Sequence, residues 1–384
     1  MARTLKSDTP LFLLTVLLLG ASLVMVYSAS FMEAADRYGS EYYFLYRQLA
    51  WAILGFALMW VVMRVDYRRY RKPAVIWAAF GGTLLLLLAV LVVGTEVNGA
   101  RRWLSLGFLS FQPAEVAKLA LVLFTAAVLE RRMHRMQDVA ATLAPIAIAT
   151  LGVVLLILKQ PDFGTSAVIV CVVLAMVFAA GVSYRHLAVA LAAVGTAGAA
   201  LVWLEPYRLR RFLSFLDPWG DRLDTGYQAV QSMLAIASGG LLGQGLMDGQ
   251  LKLYYLPEAH TDFIFAVLAE ELGLLGTTLM LGCYAIIAWR GLRIALLAPD
   301  RFGSLLALGL TMIIAIQALV NVSVVTVLMP TKGLPLPLVS NGGSSLLVSM
   351  VAMGILLNIS QHLSSTAVAK AEPRSNWTFN RQEA

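Results

Sequence analysis

Residues 11–30 read LFLLTVLLLGASLVMVYSAS, a stretch without a single Asp, Glu, Lys or Arg. A helix advances about 1.5 Å per residue, so roughly 20 apolar residues cross the hydrocarbon of a bilayer. This run has that length and exceeds the apolar core of a secretory leader. Ser28-Ala29-Ser30 has the small residues of a cleavage site, but the run reads as a retained first span. Nine more runs follow, at about 47–65, 73–94, 112–130, 139–158, 163–182, 186–204, 262–289, 303–328 and 342–362. Lipid offers no partner to an unpaired N–H or C=O, so such runs fold as helices. The expected fold is an all-α polytopic membrane protein of about ten transmembrane helices. Residues 1–10 form a cytoplasmic N-terminus, 11–365 one membrane domain, and 366–384 a disordered cytoplasmic tail.

Composition agrees. Of the 384 residues, 59% are hydrophobic and only 13% charged, and the mean hydropathy is +0.78. A soluble domain carries about twice that share of charge. The net charge of +7 would otherwise raise nucleic acid as a partner, but the basic residues sit in short clusters between apolar runs, as topology signals do. Cys171 and Cys283 each lie inside an apolar run and read as small core residues. With four His and no Cys/His spacing, no metal motif is present.

Alternate loops carry Arg3 and Lys6, Arg68-Arg69-Tyr70-Arg71-Lys72, Arg131, Arg132 and Arg135, Arg185, then Arg290, Arg293 and Arg301, and finally Lys370, Arg374 and Arg381. Placing them in the cytoplasm puts both termini inside, which agrees with ten spans. The opposite loops, including the large one at 205–261, then lie outside. A structureless loop of that size is uncommon, and Tyr227–Ile236 has the pattern of a short amphipathic helix that could lie flat at the interface. The outer loops carry Arg101, Arg102, Arg208, Arg210, Arg211, Arg222, Lys252 and Lys332 against the charge rule. Singly these read as solvated or snorkelling cations; as a group they suggest an anionic ligand on the outer face.

Three polar clusters stand out. Residues 254–273, YYLPEAHTDFIFAVLAEELG, run from Glu258, His260 and Asp262 into an apolar segment with Glu270 and Glu271. A carboxylate at a membrane boundary marks a candidate working site. In the second, Pro113 suits a first helical turn, and Glu115 and Lys118, three apart, share one face. They are either a structural ion pair or a unit in which Glu115 orients Lys118, or itself holds a metal or a sugar hydroxyl. In the third, residues 329–345, three prolines exclude a helix, and the apolar content suggests a re-entrant or tightly packed crossing with Lys332 exceptional within it. Gly239-Gly240-Leu241-Leu242-Gly243-Gln244-Gly245 lacks the Lys-Ser/Thr of a phosphate loop and reads as flexible connection.

The segments HTDFIFAVLAEELG, FLDPWGDRLDTGYQAVQS, NGARRWLSLGFLSFQPAEVAKLA, KQPDFGTSAV and PTKGLPLPLVSNGGSS together resemble the SEDS family of shape, elongation, division and sporulation proteins (FtsW, RodA, SpoVE). The likeness covers nearly the whole chain. YLPEAHTDFIFA and PTKG are more similar to the division branch FtsW, whereas Leu334-Pro335-Leu336-Pro337 is closer to RodA. Asn341 departs from the Tyr usual before Gly-Gly. The resemblance implies peptidoglycan glycosyl transfer, polymerising lipid II (a disaccharide-pentapeptide on undecaprenyl pyrophosphate) at the outer face of the bacterial cytoplasmic membrane. The family's essential carboxylate matches Asp262, and its other sensitive positions match Trp103, Glu115, Lys118 and Lys332. Expected partners are the nascent glycan strand, a class B penicillin-binding transpeptidase and other divisome or elongasome membrane proteins, with no nucleic acid.

That chemistry suits the residues. A pyrophosphate leaving group needs cations where its charge develops; Arg101, Arg102, Arg210, Arg211, Lys118 and Lys332 are candidates, and a divalent cation such as Mg or Mn is another. The acceptor hydroxyl needs a base. A free Asp titrates near 3.9, but partial burial would raise it into a useful range, which assigns Asp262. Glu270 lies about 12 Å deeper along the helix and reads as tying helices together, and Glu271 points roughly opposite to Asp262. His260 either positions the acceptor or makes a loop hydrogen bond. The alternatives are a lipid II flippase without chemistry and a scaffold that recruits and activates the transpeptidase.

Overall fold

The computed structural model describes residues 7–97, 99–106, 109–132, 139–253 and 255–371. Arg3, Lys6, Arg135, Arg374, Arg381 and the disorder expected of 372–384 fall outside the described residues. Each of the ten apolar runs corresponds to a helix, with ends that differ by up to three residues where a run overshoots: α1 (Thr9–Tyr38), α2 (Tyr43–Arg64), α3 (Pro73–Val93), α4 (Pro113–Arg132), α5 (Val139–Leu158), α6 (Phe163–Ala179), α7 (Tyr184–Trp203), and, after two shorter helices, α10 (Ile264–Leu297), α11 (Arg301–Val325) and α12 (Gly343–Ala371). The shorter ones are α8 (Pro206–Leu216) and α9 (Tyr227–Gly239). By length and composition, α1, α2, α3, α7, α10, α11 and α12 can each cross a membrane, so the chain is a multi-pass membrane protein. Helix α12 continues to Ala371, into the segment expected to be an unstructured tail.

Carboxylates cap the helix starts. Asp8 accepts from the Leu11 N–H at 3.0 Å and pairs with Arg290 at 3.0 Å. Asp162 accepts from the Thr165 N–H at 3.0 Å, and Asp300 from the Gly303 N–H at 2.8 Å. Each satisfies donors that a helix start leaves open. Helix α12 is the most enclosed span and packs against α1, α2, α4, α10 and α11. Helix α7 buries no residue and touches α8 and α6 at the edge of the bundle. Ser28, in the stretch that resembled a cleavage site, is buried mid-helix in α1.

Four features differ from expectation. A small antiparallel sheet interrupts the all-α fold: β1 (Thr95–Val97), β2 (Ala100–Leu106) and β3 (Leu109–Phe111), in that order. Helix α9 does not lie free at the interface: Ser232 donates to the Val325 carbonyl at the end of α11 at 2.6 Å, and a Cβ at Gly239 would fall 1.9 Å from the Ala269 carbonyl oxygen of α10. Cys283 is buried, but Cys171 is exposed on α6 rather than in the core.

The fourth is the run Gly239–Gly245, which is a splint and not a flexible connection. Helix α10 breaks at Gly273, where φ is 62° and ψ −160°, a conformation that disfavours any side chain. The freed backbone groups pair with the glycine-rich run. Gln244 and Gly245 N–H donate to the Glu270 and Glu271 carbonyls, both at 3.0 Å, and Leu274 N–H donates to the Gly240 carbonyl at 2.9 Å. The two side chains also bond locally. Glu270 accepts from the Gln250 and Leu251 N–H groups at 2.7 and 3.1 Å. Glu271 accepts from Ser28 at 2.5 Å and from Lys252 at 2.6 Å. Both carboxylates therefore tie segments together, as expected of Glu270 but not of Glu271, and Lys252 is a buried structural cation, not one held out for an anionic ligand.

The proline-rich crossing is non-helical from Leu328 to Gly342, yet Leu334, Leu336, Leu338 and Val339 are buried. Buried irregular backbone needs partners, and five polar residues from four helices supply them. Asn321 donates to the Leu334 carbonyl at 2.7 Å, Gln317 to Pro335 at 2.9 Å, Tyr284 to Pro337 at 2.5 Å, Ser22 to Val339 at 2.8 Å and Gln48 to Ser340 at 3.3 Å.

Candidate active site

Asp262 sits in the turn just before α10, which begins at Ile264. The turn meets the proline-rich crossing at Gly333, where a Cβ would lie 2.6 Å from an Asp262 carboxylate oxygen. Only glycine permits so close an approach. Asn321 holds the two segments together, donating to the Asp262 carbonyl at 2.8 Å as well as to that of Leu334. Lys332, next to Gly333, lies over the Phe163 ring with Nζ 3.5 Å from its centroid, a cation–π contact. Arg208 of α8 approaches the same ring at 5.9 Å.

The electrostatics follow from this crowding. Burial raises the Asp262 carboxyl to about 7; the charges of Glu258 and Asp162 push the same way, and Arg102 and Arg211 oppose them. Burial lowers the Lys332 ammonium to about 8, with Arg208 and Arg211 adding repulsion and Asp162 opposing it. A carboxyl that is half-ionised near neutrality is suited to proton transfer.

The other sequence candidates divide. Arg102 donates to the Gln160 and Pro161 carbonyls, both at 2.8 Å, which fixes it at the α5–α6 turn beside Asp162. Arg211 is half-buried and Arg210 exposed on α8. Arg101 faces outward on the sheet, 3.5 Å from Glu96. Trp103, half-buried on β2, accepts a bond at its carbonyl from Thr95 at 3.0 Å. Glu115 and Lys118 are 1% and 2% exposed. Lys118 donates to Glu115 at 2.9 Å and to Gln317 of α11 at 2.5 Å, so the pair is enclosed in the bundle. His260 faces α1 and α2: its ring is 4.6 Å from that of Phe44, and Nδ1 lies 3.4 Å from Glu33. Its carbonyl accepts from the Asn341 N–H at 3.0 Å, and burial holds the ring below its usual titration range.

Sequence reasoning missed Asp162, Phe163, Arg208 as a site member, Gln317 and Asn321. The last two carried a signal, as lone amides in an otherwise apolar span. Beside this group opens an apolar cavity of about 710 Å³ between α3, α5, α7 and α8, with Leu84, Leu155, Leu201 and Leu204 on its wall and Lys159, Glu205 and Arg208 at its polar end. Arg208 belongs to both the cavity and the Lys332 environment.

Residues 9–365 match the family of cell cycle proteins comprising FtsW, RodA and SpoVE. The probable peptidoglycan glycosyltransferase FtsW of Geobacter sulfurreducens is 44% identical over 93% of this chain and 96% of its own length. Stage V sporulation protein E of Bacillus subtilis is 41% identical over 94% and 99%. Among solved structures, a chain from a peptidoglycan synthase complex that coordinates polymerization and crosslinking superposes with a TM-score of 0.79 at 36% identity, covering 94% of this chain and 99% of that one. Rod shape determining protein RodA of Thermus thermophilus gives 0.69 at 34%, covering 93% and 97%. With agreement of sequence and fold over nearly its full length, this chain belongs to the FtsW/RodA/SpoVE family.

Proposed function

We infer that the protein is a peptidoglycan glycosyltransferase that polymerises lipid II at the outer face of the bacterial cytoplasmic membrane. The observation that carries this reading is a carboxyl held near neutrality against Gly333, the chain neighbour of Lys332, and in the field of Arg102 and Arg211. Ionised Asp262 takes the proton of the acceptor's 4-hydroxyl as that oxygen attacks the donor's anomeric carbon. The bond to pyrophosphate breaks, its electrons leave with the phosphate, and Lys332, Arg102 and Arg211 offset the developing charge. Attack opposite the leaving group inverts the anomeric centre. The adjoining cavity suits the polyprenyl tail, with Arg208 where tail meets pyrophosphate.

Among the described residues, no three His, Cys, Asp or Glu side chains are placed to hold a metal. Asp262 and Asp162, each within the other's field, fit the alternative in which Mg or Mn takes one or two carboxylates and completes its shell with water and substrate phosphate. These two residues would hold it, and it would neutralise pyrophosphate charge. The alternation of Lys and Arg between loops, which suits ten spans with both termini inside, supports an outward-facing Asp262. The complex containing the structural relative supports a class B penicillin-binding transpeptidase as partner, and the FtsW relatives support a role in septal synthesis.

The test uses purified protein, lipid II and that partner. Loss of glycan chains in a folded Asp262→Ala variant supports the assignment, and undiminished polymerisation overturns it. Translocation of lipid II in sealed vesicles without polymer would assign a flippase instead.

A further inference from the structure

Helix α11 presents Gln317 and Asn321 one turn apart, both nearly fully buried. Their side-chain amides donate to consecutive carbonyls, Pro335 and Leu334. Asn321 makes a second bond, to the Asp262 carbonyl. Pro335 and Pro337 lack the N–H groups that a sheet or helix would use, and the crossing's own hydrogen bonds lie further on, between Leu336 and Ser340. We propose that Asn321 and Gln317 are positioning residues: together they set the separation between Asp262 and Lys332 without touching substrate. This rests on the assignment of Asp262 and Lys332 above.

The Glu115–Lys118 pair gains a role in the same geometry. An ammonium only donates, so Lys118 obliges Gln317 to turn its Oε1 inward. The Nε2 then faces the Pro335 carbonyl and Ser345. Glu115 holds Lys118 in place. A hydrogen-bonded chain thus runs from α4 through α11 to the crossing, and it fixes the orientation of an amide that could otherwise flip. Lys118 serves the site through Gln317 rather than by binding pyrophosphate.

Asn321→Leu keeps the branching at Cγ and removes both hydrogen bonds; Gln317→Met keeps the chain length and removes the amide one turn away. In the intact protein with its partner, Asn321→Leu should lower kcat about tenfold or more and leave the KM for lipid II within about twofold. Gln317→Met should show the same pattern more weakly. Thr311→Val, which loses only a bond to Ala307 in its own helix, should leave kcat unaltered. A wild-type kcat in both amide variants, or a KM for lipid II that rises as much as kcat falls, overturns the inference. Should one variant fail to fold, the other decides. If Asp262→Asn is inactive while both variants behave as wild type, the inference fails alone; if Asp262→Asn is fully active, the base assignment itself has failed.

Discussion

Asp262 accepts a proton only when ionised, and Lys332 offsets pyrophosphate charge only when protonated. With the first raised to about 7 and the second lowered to about 8, kcat/KM should rise with pH through the Asp262 value and fall above that of Lys332. The profile should be a narrow bell, measured by initial rates of lipid II polymerisation. Asp262→Asn, which keeps shape but cannot take the proton, should reduce the rate by about 10²–10⁴-fold. Lys332→Met should lose about 10²-fold and remove the alkaline limb. Asp262 was legible in the sequence because an acid beside an apolar run has few reasons to be there. Lys252 was misread on the same logic: its partner Glu271 lies in a different segment, and only the fold brings Nζ within 2.6 Å of it. Truncating one member of such a buried pair strands the other charge, so Lys252→Met should destabilise the protein by about 3–5 kcal/mol in thermal or denaturant unfolding.

Element boundaries were read well where the physics is local. Runs of spanning length became helices, and Pro113 and Pro73 stand at helix starts. The small sheet was not legible although Asn98-Gly99 is a hairpin turn signal, because its strands of 3, 7 and 3 residues carry too little alternation to stand out between long apolar runs. The break in α10 was illegible for another reason. Gly273 lies in an apolar run that reads as one helix, and its partner is the glycine-rich run some thirty residues earlier. A Cβ at Gly273 would fall 2.3 Å from the Gly243 backbone nitrogen, at a positive φ. Gly273→Ala should therefore cost about 1–3 kcal/mol and loosen the Glu270 and Glu271 contacts, seen as faster exchange of the Gln250 and Leu251 amides.

At the scale of the molecule, the orientation argument can be tested directly. In a background lacking Cys171 and Cys283, a cysteine at Leu223, in the large loop, should react with an impermeant maleimide in intact spheroplasts. One at Arg69, in the basic turn after α2, should react only after permeabilisation. The reverse pattern would put Asp262 at the inner leaflet, where no outer-face polymer could be made. The cavity beside α7 has a consequence of its own. Its wall residues Leu155 and Leu204 are 52% and 77% exposed, so it opens sideways, toward the hydrocarbon. A donor entering by that route never passes through water. Turnover should then track the mole fraction of donor among the surrounding lipids and ignore its amount per litre of suspension, so that added inert phospholipid slows the enzyme while added buffer does not.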